Sequence, residues 1–212
     1  MRLFITFEGI EGSGKTTQIQ LLRGYLERKG YQCRITREPG GCRIGDSIRD
    51  ILMNSNNENL TPLSELFLIM ANRAQHVIEV IEPALNDQRV LICDRFHDAT
   101  LAYQGFARGM ALDLIERLNR TVTRGVKPDL TILLDCPVEV GLGRAMERIE
   151  AGDSSWKEGR FEGERGDFHQ RVRDGYLTIA KSEPKRIKIV NGSRDEHTVE
   201  REIRRLVNPF LK

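Results

Sequence analysis

Eight residues near the start constrain the chain more than any others: Gly9-Ile10-Glu11-Gly12-Ser13-Gly14-Lys15-Thr16. They follow an apolar run at 3–7 and open a helical pattern beginning near Lys15, continued by Thr17. That is the strand–loop–helix setting a phosphate loop requires. The glycines let the backbone bend around an anion and turn successive N–H groups inward. The helix behind contributes its positive N-terminal end. Lys15 is spaced to reach the terminal phosphates of a nucleotide, and the Thr16 hydroxyl to bind Mg²⁺. A glycine-rich stretch alone is commonly just a turn. Here every constraint of the template is met together, and the reading is a nucleoside triphosphate site.

The rest of the composition narrows the class. With 212 residues, 39% hydrophobic and 30% charged, the chain reads as one domain, 1–212, with a substantial core and a well-charged surface. A net charge of +2 argues against a nucleic-acid partner, which calls for a concentrated basic excess. Anion affinity must therefore come from local sites. Cys33, Cys42, Cys93 and Cys136 are scattered without C-x-x-C spacing. Three of them (Cys33, Cys93, Cys136) lie in or beside apolar runs and read as buried thiols of a reducing cytosol. No apolar run approaches the length of a membrane span. The first residues lack the pattern of a leader and run straight into the phosphate loop, so a cytoplasmic protein is expected.

Apolar, β-branched runs at 3–7, 33–36, 90–94, 130–135 and 187–190 read as buried strands. Helical periodicity follows most of them, at 18–29, 63–81, 111–123, 138–149, 168–181 and 198–206, with Pro83 ending the second of these. The expected fold is a five-stranded parallel sheet covered by helices on both faces, a doubly wound α/β phosphate-loop architecture. Ligands of such sheets gather at the carboxyl ends of the strands. Those ends are Glu8-Gly9, Arg37-Glu38, Asp94-Arg95 and Asp135. One glycine-rich segment at about 150–166, containing Arg160 and Arg165, breaks the alternation. Its composition suits a solvated surface loop and equally a lid that brings a guanidinium over transferring phosphates.

Further motifs choose among phosphate-loop proteins. Asp94-Arg95-Phe96 ends an apolar run, where a carboxylate faces the phosphate loop and can join a Mg²⁺ shell, with Arg95 beside it for a second phosphate. Arg37-Glu38-Pro39-Gly40-Gly41 pairs an anion-gripping guanidinium with a rigid turn around Pro39. Phe67, Met70 and Arg73 fall on an i, i+3, i+6 row, which fits an aromatic groove wall and also fits a core Phe67 with Arg73 at the surface. In 99–105, if helical, Thr100 and Gln104 share a face with Tyr103 adjacent. The Gln104 amide offers the donor and acceptor that a pyrimidine edge needs.

Taken together, 9–16, Arg37-Glu38-Pro39-Gly40-Gly41, Arg73-Ala74-Gln75-His76, Asp94-Arg95-Phe96 and Ala102-Tyr103-Gln104-Gly105 resemble the thymidylate kinase family in order and spacing. The resemblance runs nearly end to end. It implies transfer of the γ-phosphate of ATP to dTMP with Mg²⁺ as cofactor, in a homodimer joined through the long helix at 63–81. By position it implies that Lys15 and Thr16 serve ATP and Mg²⁺, and that Arg37 and Arg95 hold the dTMP phosphate. It also implies that Phe67 stacks on thymine, that Arg73, Thr100 and Gln104 read its polar edge, and that Tyr103 selects deoxyribose. Glu11 matches the acid that approaches the sugar hydroxyl, and Arg144 the residue against adenine. The loop after Glu11 lacks an arginine while the lid has Arg160-Phe161-Glu162, as in the bacterial type. Arg160 is then the candidate catalytic arginine, with Arg165 the alternative. Cys42 and Thr100 stand where the family usually has threonine and serine.

A second reading is another nucleotide or deoxynucleoside kinase on the same fold, which would need a different base-reading set. A third is a nucleotide-dependent switch, but the Asn-Lys-x-Asp of guanine readers is absent, and a switch needs no second anion site at Arg37 and Arg95. His76 reads as structural.

Overall fold

The fold is given by a computed structural model that describes residues 1–57, 59–150, 160–161, 164 and 166–211, with 148 and 149 described by their backbone. The lid expected at about 150–166 therefore lies mostly outside the described residues, Glu162 and Arg165 included.

Five strands form one parallel sheet: β1 (Leu3–Glu8), β2 (Cys33–Arg37), β3 (Val90–Asp94), β4 (Leu130–Asp135) and β5 (Ile187–Asn191). Their order is β2-β3-β1-β4-β5. The three inner strands are apolar almost throughout because both their faces are covered; edge strands β2 and β5 are only partly buried. Strand residues then divide by parity. Leu3, Ile5 and Phe7 pack with Ile92 and Ile132 against Ile19, Leu22 and Leu26 of α1 (Lys15–Arg28) and Val199, Ile203 and Val207 of α9 (Glu196–Val207). Phe4, Leu91 and Cys93 face the opposite way, onto Val77, Ile81, Leu85 and Phe96. Leu26 is fully buried in the first layer, so Leu26→Ala is expected to cost about 2–5 kcal/mol.

The polar residue inside β1 is accounted for. The Thr6 and Thr131 hydroxyls share a 2.7 Å hydrogen bond, and Arg186 donates to Thr131 Oγ1 and to both Asp98 oxygens at 2.7–2.9 Å. Satisfied in this way, a buried polar pair costs little.

Between β2 and β3 run α2 (Arg43–Met53) and α3 (Pro62–His76). No helix is expected at α2 from the runs above, yet Ile44, Ile48 and Leu52 give it a helical stripe. The Cys42 thiol caps it by accepting from Gly45 N. α3 starts at an N-cap Thr61 that accepts from Ser64 N, with Pro62 in its first turn. Pro83 does not stop this rod. The chain widens into a π-turn over Val77–Ile81, where Glu82 N donates to Val77 O, and continues as α4 (Glu82–Asn86). Proline lacks an N–H and its ring crowds the carbonyl four residues back. The i→i+5 turn removes the need for that bond and moves the carbonyl aside.

After β3 come α5 (His97–Thr100), a second π-segment at Leu101–Ala107 and α6 (Leu112–Val122). After β4 come α7 (Val138–Glu150) and α8 (Gly166–Ser182). Cys93 and Cys136 are buried as expected; Cys33, on edge strand β2, is only partly so, and all four thiols are free. Among the described residues no helix is long and apolar enough to cross a membrane.

Candidate active site

The carboxyl ends of β1, β2, β3 and β5 open into one cleft of about 560 Å³; Asp135, at the end of β4, is not in its lining and pairs with Arg173 instead. At its centre the phosphate loop leaves β1. Gly9, Gly12 and Gly14 take φ of +138°, +65° and +96°, values that L side chains rarely adopt. A Cβ on Gly12 would sit 1.9 Å from Gly141 O of α7, and one on Gly9 2.4 Å from Leu134 O. The loop is pressed between β4 and α7, and only glycine fits. Gly9 and Ile10 thus support the loop from behind, while Glu11, Gly12, Ser13, Gly14, Lys15, Thr16 and Thr17 line the cleft.

Lys15 Nζ donates to Gly9 O at 3.0 Å and Ile10 O at 2.8 Å. Burial and the neighbouring Arg95 charge pull its pKa down to about 8, against Asp94, Glu11 and Glu8. Arg95 follows β3 with φ +66°, an unusual conformation for a non-glycine residue, costing about 1–3 kcal/mol. Its contacts hold it there: Arg95 N donates to Phe7 O, Nη1 to Gly9 O at 2.9 Å and Tyr176 Oη at 3.1 Å, and Nη2 to Glu11 Oε1 at 3.0 Å. Its guanidinium also lies 4.9 Å from the Tyr103 ring centroid. Burial alone would raise the Glu11 carboxyl; Arg95, His169 and Lys15 outweigh it and hold Glu11 well below the usual carboxylate range. Tyr103 Oη donates to the same Glu11 oxygen.

Asp94, at the end of β3, lines the cleft with a buried Oδ1 that has no hydrogen-bond partner. Thr16 is exposed in the same cleft. An orphaned carboxylate oxygen and an exposed hydroxyl in one cleft suit a divalent cation. Among the described residues no three His, Cys, Asp or Glu side chains converge as a metal cage, at this site or any other, so an ion here would need further oxygens from the ligand's phosphates.

A second region of the cleft is built on α3, the turn after β2 and the π-segment. Asn72 clamps Gly40, accepting from its N at 2.6 Å and donating to its O at 3.1 Å. This holds the turn that carries Pro39 and the exposed Arg37, both in the lining. Arg73 is almost fully buried, neither capping nor at the surface. It donates to Glu38 Oε2 (2.7 Å), Thr100 Oγ1 (2.8 Å), Asn119 Oδ1 and Phe96 O (3.1 Å). Of its five N–H groups one remains, on Nη2. His76 bridges Glu38 Oε1 and Thr36 Oγ1 at 2.9 and 2.6 Å, the structural role expected of it. Burial would raise Glu38, but Arg73 and His76 bring it below its ordinary value. Thr100, Tyr103 and Gln104 line the cleft from the other side. Arg144 of α7 lines it beside Gly192, to whose carbonyl it donates at 2.9 Å.

Two expected site residues are not brought in. Phe67 is 54% exposed and outside the cleft; Ile69 lines it instead. At 100° per residue, Phe67 lies about 120° around the helix from Arg73 and Ile69 only about 40°. An i, i+3, i+6 row drifts, and the i−4 position is the true neighbour. Arg160 does not reach the phosphate loop. It donates to Leu52 O at 3.2 Å and Glu65 Oε2 at 2.6 Å, and Phe161 next to it lines the cleft.

A family model of thymidylate kinase matches residues 7–203. The chain belongs to the thymidylate kinase family. It is 58% identical over 192 residues to the thymidylate kinase of Geotalea daltonii, covering 91% of this chain and 90% of that one. With that of Geobacter sulfurreducens it shares 53% over 193 residues, covering 91% and 90%. The crystal structure of thymidylate kinase from Ehrlichia chaffeensis superposes with a TM-score of 0.76 at 36% identity, covering 97% of this chain and 98% of that one.

Within this thymidylate kinase fold, several residues that shape the site carry little signal in sequence. Glu8 and Tyr176 hydrogen-bond at 2.7 Å behind Arg95. His169 Nδ1 lies 3.2 Å from Glu11 Oε2, an ion-pair distance without hydrogen-bond alignment. Glu65 is wholly buried beneath Gln104. Ile69 follows from helix geometry only once Arg73 is known to face the cleft. The others depend on which elements meet.

Proposed function

We propose that the chain phosphorylates dTMP to dTDP with ATP as donor, a step of dTTP synthesis. The observation that carries the reading is that one cleft joins a phosphate loop to a second anion site and, beyond it, to a donor–acceptor pair suited to a thymine edge. The bond from the γ-phosphorus to the β–γ bridging oxygen breaks, and a new bond forms to a dTMP phosphate oxygen. That acceptor is already ionised, so no general base is assigned.

The chain's residues then have distinct tasks. The N–H groups of the cleft-lining residues 11–16, backed by Gly9 and Ile10, and Lys15 hold the donor phosphates. Arg37 and Arg95 hold the acceptor phosphate and offset repulsion between the two anions. Glu11 faces the sugar hydroxyl, and the Tyr103 ring excludes a 2′-hydroxyl. Ile69 replaces Phe67 as the apolar wall for the base. The free Nη2 hydrogen of Arg73 meets a base carbonyl, Thr100 holds Arg73, and Gln104 meets the ring N–H. Arg144 lies against adenine. Thr16 and Asp94 are the residues that would hold Mg²⁺, which supplies charge neutralisation on the phosphates. A lid arginine adds a further cation, either Arg160 on leaving Leu52 O and Glu65, which Arg108 continues to hold, or Arg165, and closure excludes water.

The chain is read as one domain, 1–212, with its lid at about 150–166. Exposed Leu63 and Phe67, one turn apart on α3, support a homodimer through this helix. Four unbridged thiols support a cytoplasmic location.

The test is ADP release with ATP–Mg²⁺, offering dTMP, dUMP, UMP, dCMP and thymidine in parallel. Preference for dTMP, with dUMP weaker and thymidine inert, is expected. Phosphorylation of thymidine but not dTMP would overturn the roles of Arg37 and Arg95.

A further inference from the structure

Gln104 carries an amide that can present either a donor or an acceptor to a ligand, depending only on how it is turned. The structure leaves no such freedom. Its Nε2 donates to Glu65 Oε1 at 2.9 Å. Glu65 lies in the first turn of α3 with no exposed surface. Its other contacts are guanidinium groups: Arg108 Nε to Oε1 and Nη2 to Oε2, both at 3.3 Å, and Arg160 Nη2 to Oε2 at 2.6 Å. A carboxylate in two such ion pairs can only accept, so the amide nitrogen must face it. The carbonyl oxygen of Gln104 is then what the cleft receives.

We infer that Glu65 is the positioning residue that sets the base specificity of this enzyme, by fixing Gln104 as a hydrogen-bond acceptor toward the nucleobase. This rests on the dTMP kinase reading above. Arg73, with its remaining Nη2 hydrogen, is a donor. A donor next to an acceptor matches a pyrimidine whose ring carries a carbonyl beside an N–H, as in thymine and uracil. It opposes cytosine, which has an amino group beside a bare ring nitrogen. Glu38 fixes one half of the pair through Arg73, and Glu65 fixes the other through Gln104. Arg108 is itself anchored, to Glu164 at 2.6 Å and with its guanidinium 4.5 Å from the Phe168 ring centroid, so the carboxylate does not follow Gln104 if the amide turns.

Glu65→Gln tests this sharply. Arg108 Nη2 and Arg160 Nη2 claim the new amide's oxygen at the Oε2 position, the Arg108 Nε bond is lost, the NH₂ turns to Gln104, and Gln104 must invert to present its own NH₂ to the base. The ratio of kcat/KM for dTMP over dCMP is expected to fall about ten- to hundredfold. The loss should lie mainly in KM for dTMP, with dUMP following dTMP and KM for ATP within about twofold. Glu65→Asp, which keeps an acceptor-only group, should retain the ratio. An unchanged ratio in Glu65→Gln, with both substrates losing turnover equally, would make Glu65 merely structural and overturn the proposal. Should Glu65→Gln not fold, solvent exchange of the Gln104 side-chain amide protons in the unmodified protein decides. Protected protons support the lock, and freely exchanging ones overturn it. Failure of the unmodified protein to phosphorylate dTMP at all would instead refute the activity, while the amide measurement still reports on Glu65.

Discussion

Charge on single residues at the site is set by what surrounds them. Lys15 is brought to a pKa of about 8 by burial and Arg95, yet an anionic ligand would favour its charged form. Removing it takes away a cation aimed at the transferring group. Lys15→Ala is expected to lower kcat about 10²–10³-fold with the far-ultraviolet circular dichroism unchanged, and near-normal turnover would refute its role. Glu8 is the opposite case. Burial and the nearby Asp98 raise it from 4.5 to about 8, against Arg95 and its hydrogen bonds with Tyr176 and Phe96 N. Between those two values the folded chain binds more protons at this site than the unfolded one, so stability falls as pH rises through the window. Below 4.5 both states are protonated; above 8 both are ionised and the burial penalty is fully felt. Glu8→Gln should therefore gain melting temperature relative to the unmodified protein, by more at pH 8.5 than at pH 5. Histidine titrations are common to both proteins and cancel in the difference. A pH-independent difference would refute the shift.

Elements place these residues by close approach as well as by sequence position. The phosphate loop keeps its shape partly because α7 brings Gly141 against it; a Cβ there would meet Glu11 O at 2.6 Å and Ile10 Cδ1 at 2.8 Å. Gly141 makes no contact with a ligand in the mechanism above. Gly141→Ala should nonetheless raise KM for ATP severalfold and lower the melting temperature, because the loop backbone must shift to admit one methyl group. Unchanged ATP affinity would show that the packing is not what shapes the loop. The π-turns serve the same end. One carries the α3 rod past Pro83, and the other sets Tyr103 and Gln104 toward the cleft while Gly105 packs under Leu112.

At the scale of the whole molecule, the parallel sheet brings the carboxyl ends of β1, β2, β3 and β5 to one cleft, and α3 faces two ways. One side gives Ile69 and Arg73 to the cleft. The other leaves Leu63 51% and Phe67 54% exposed, and burying each against a second copy is worth about 1.5–3 kcal/mol. Light scattering after size exclusion should find a dimer, and Phe67→Glu should shift it toward monomer. A monomer in the unmodified protein would refute the dimer reading.

Much of this was legible in the residues alone. A buried strand, a glycine turn and a helix start are local events, so the phosphate loop, all five strands within a residue or two, and the charges at their ends could be read directly. The family followed from motif order. What the sequence could not decide were matters of direction. Phe67 and Ile69 are both apolar and close to Arg73, and only the helix rotation against the sheet sends Ile69 inward and Phe67 out. Arg160 and Arg73 are both arginines within motifs, but Glu65 claims one and Glu38 the other, through contacts 95 and 35 residues apart. Local sequence determines which groups are available. Tertiary packing determines their partners, because the strength and polarity of a buried charge or amide depend on neighbours the chain supplies from afar.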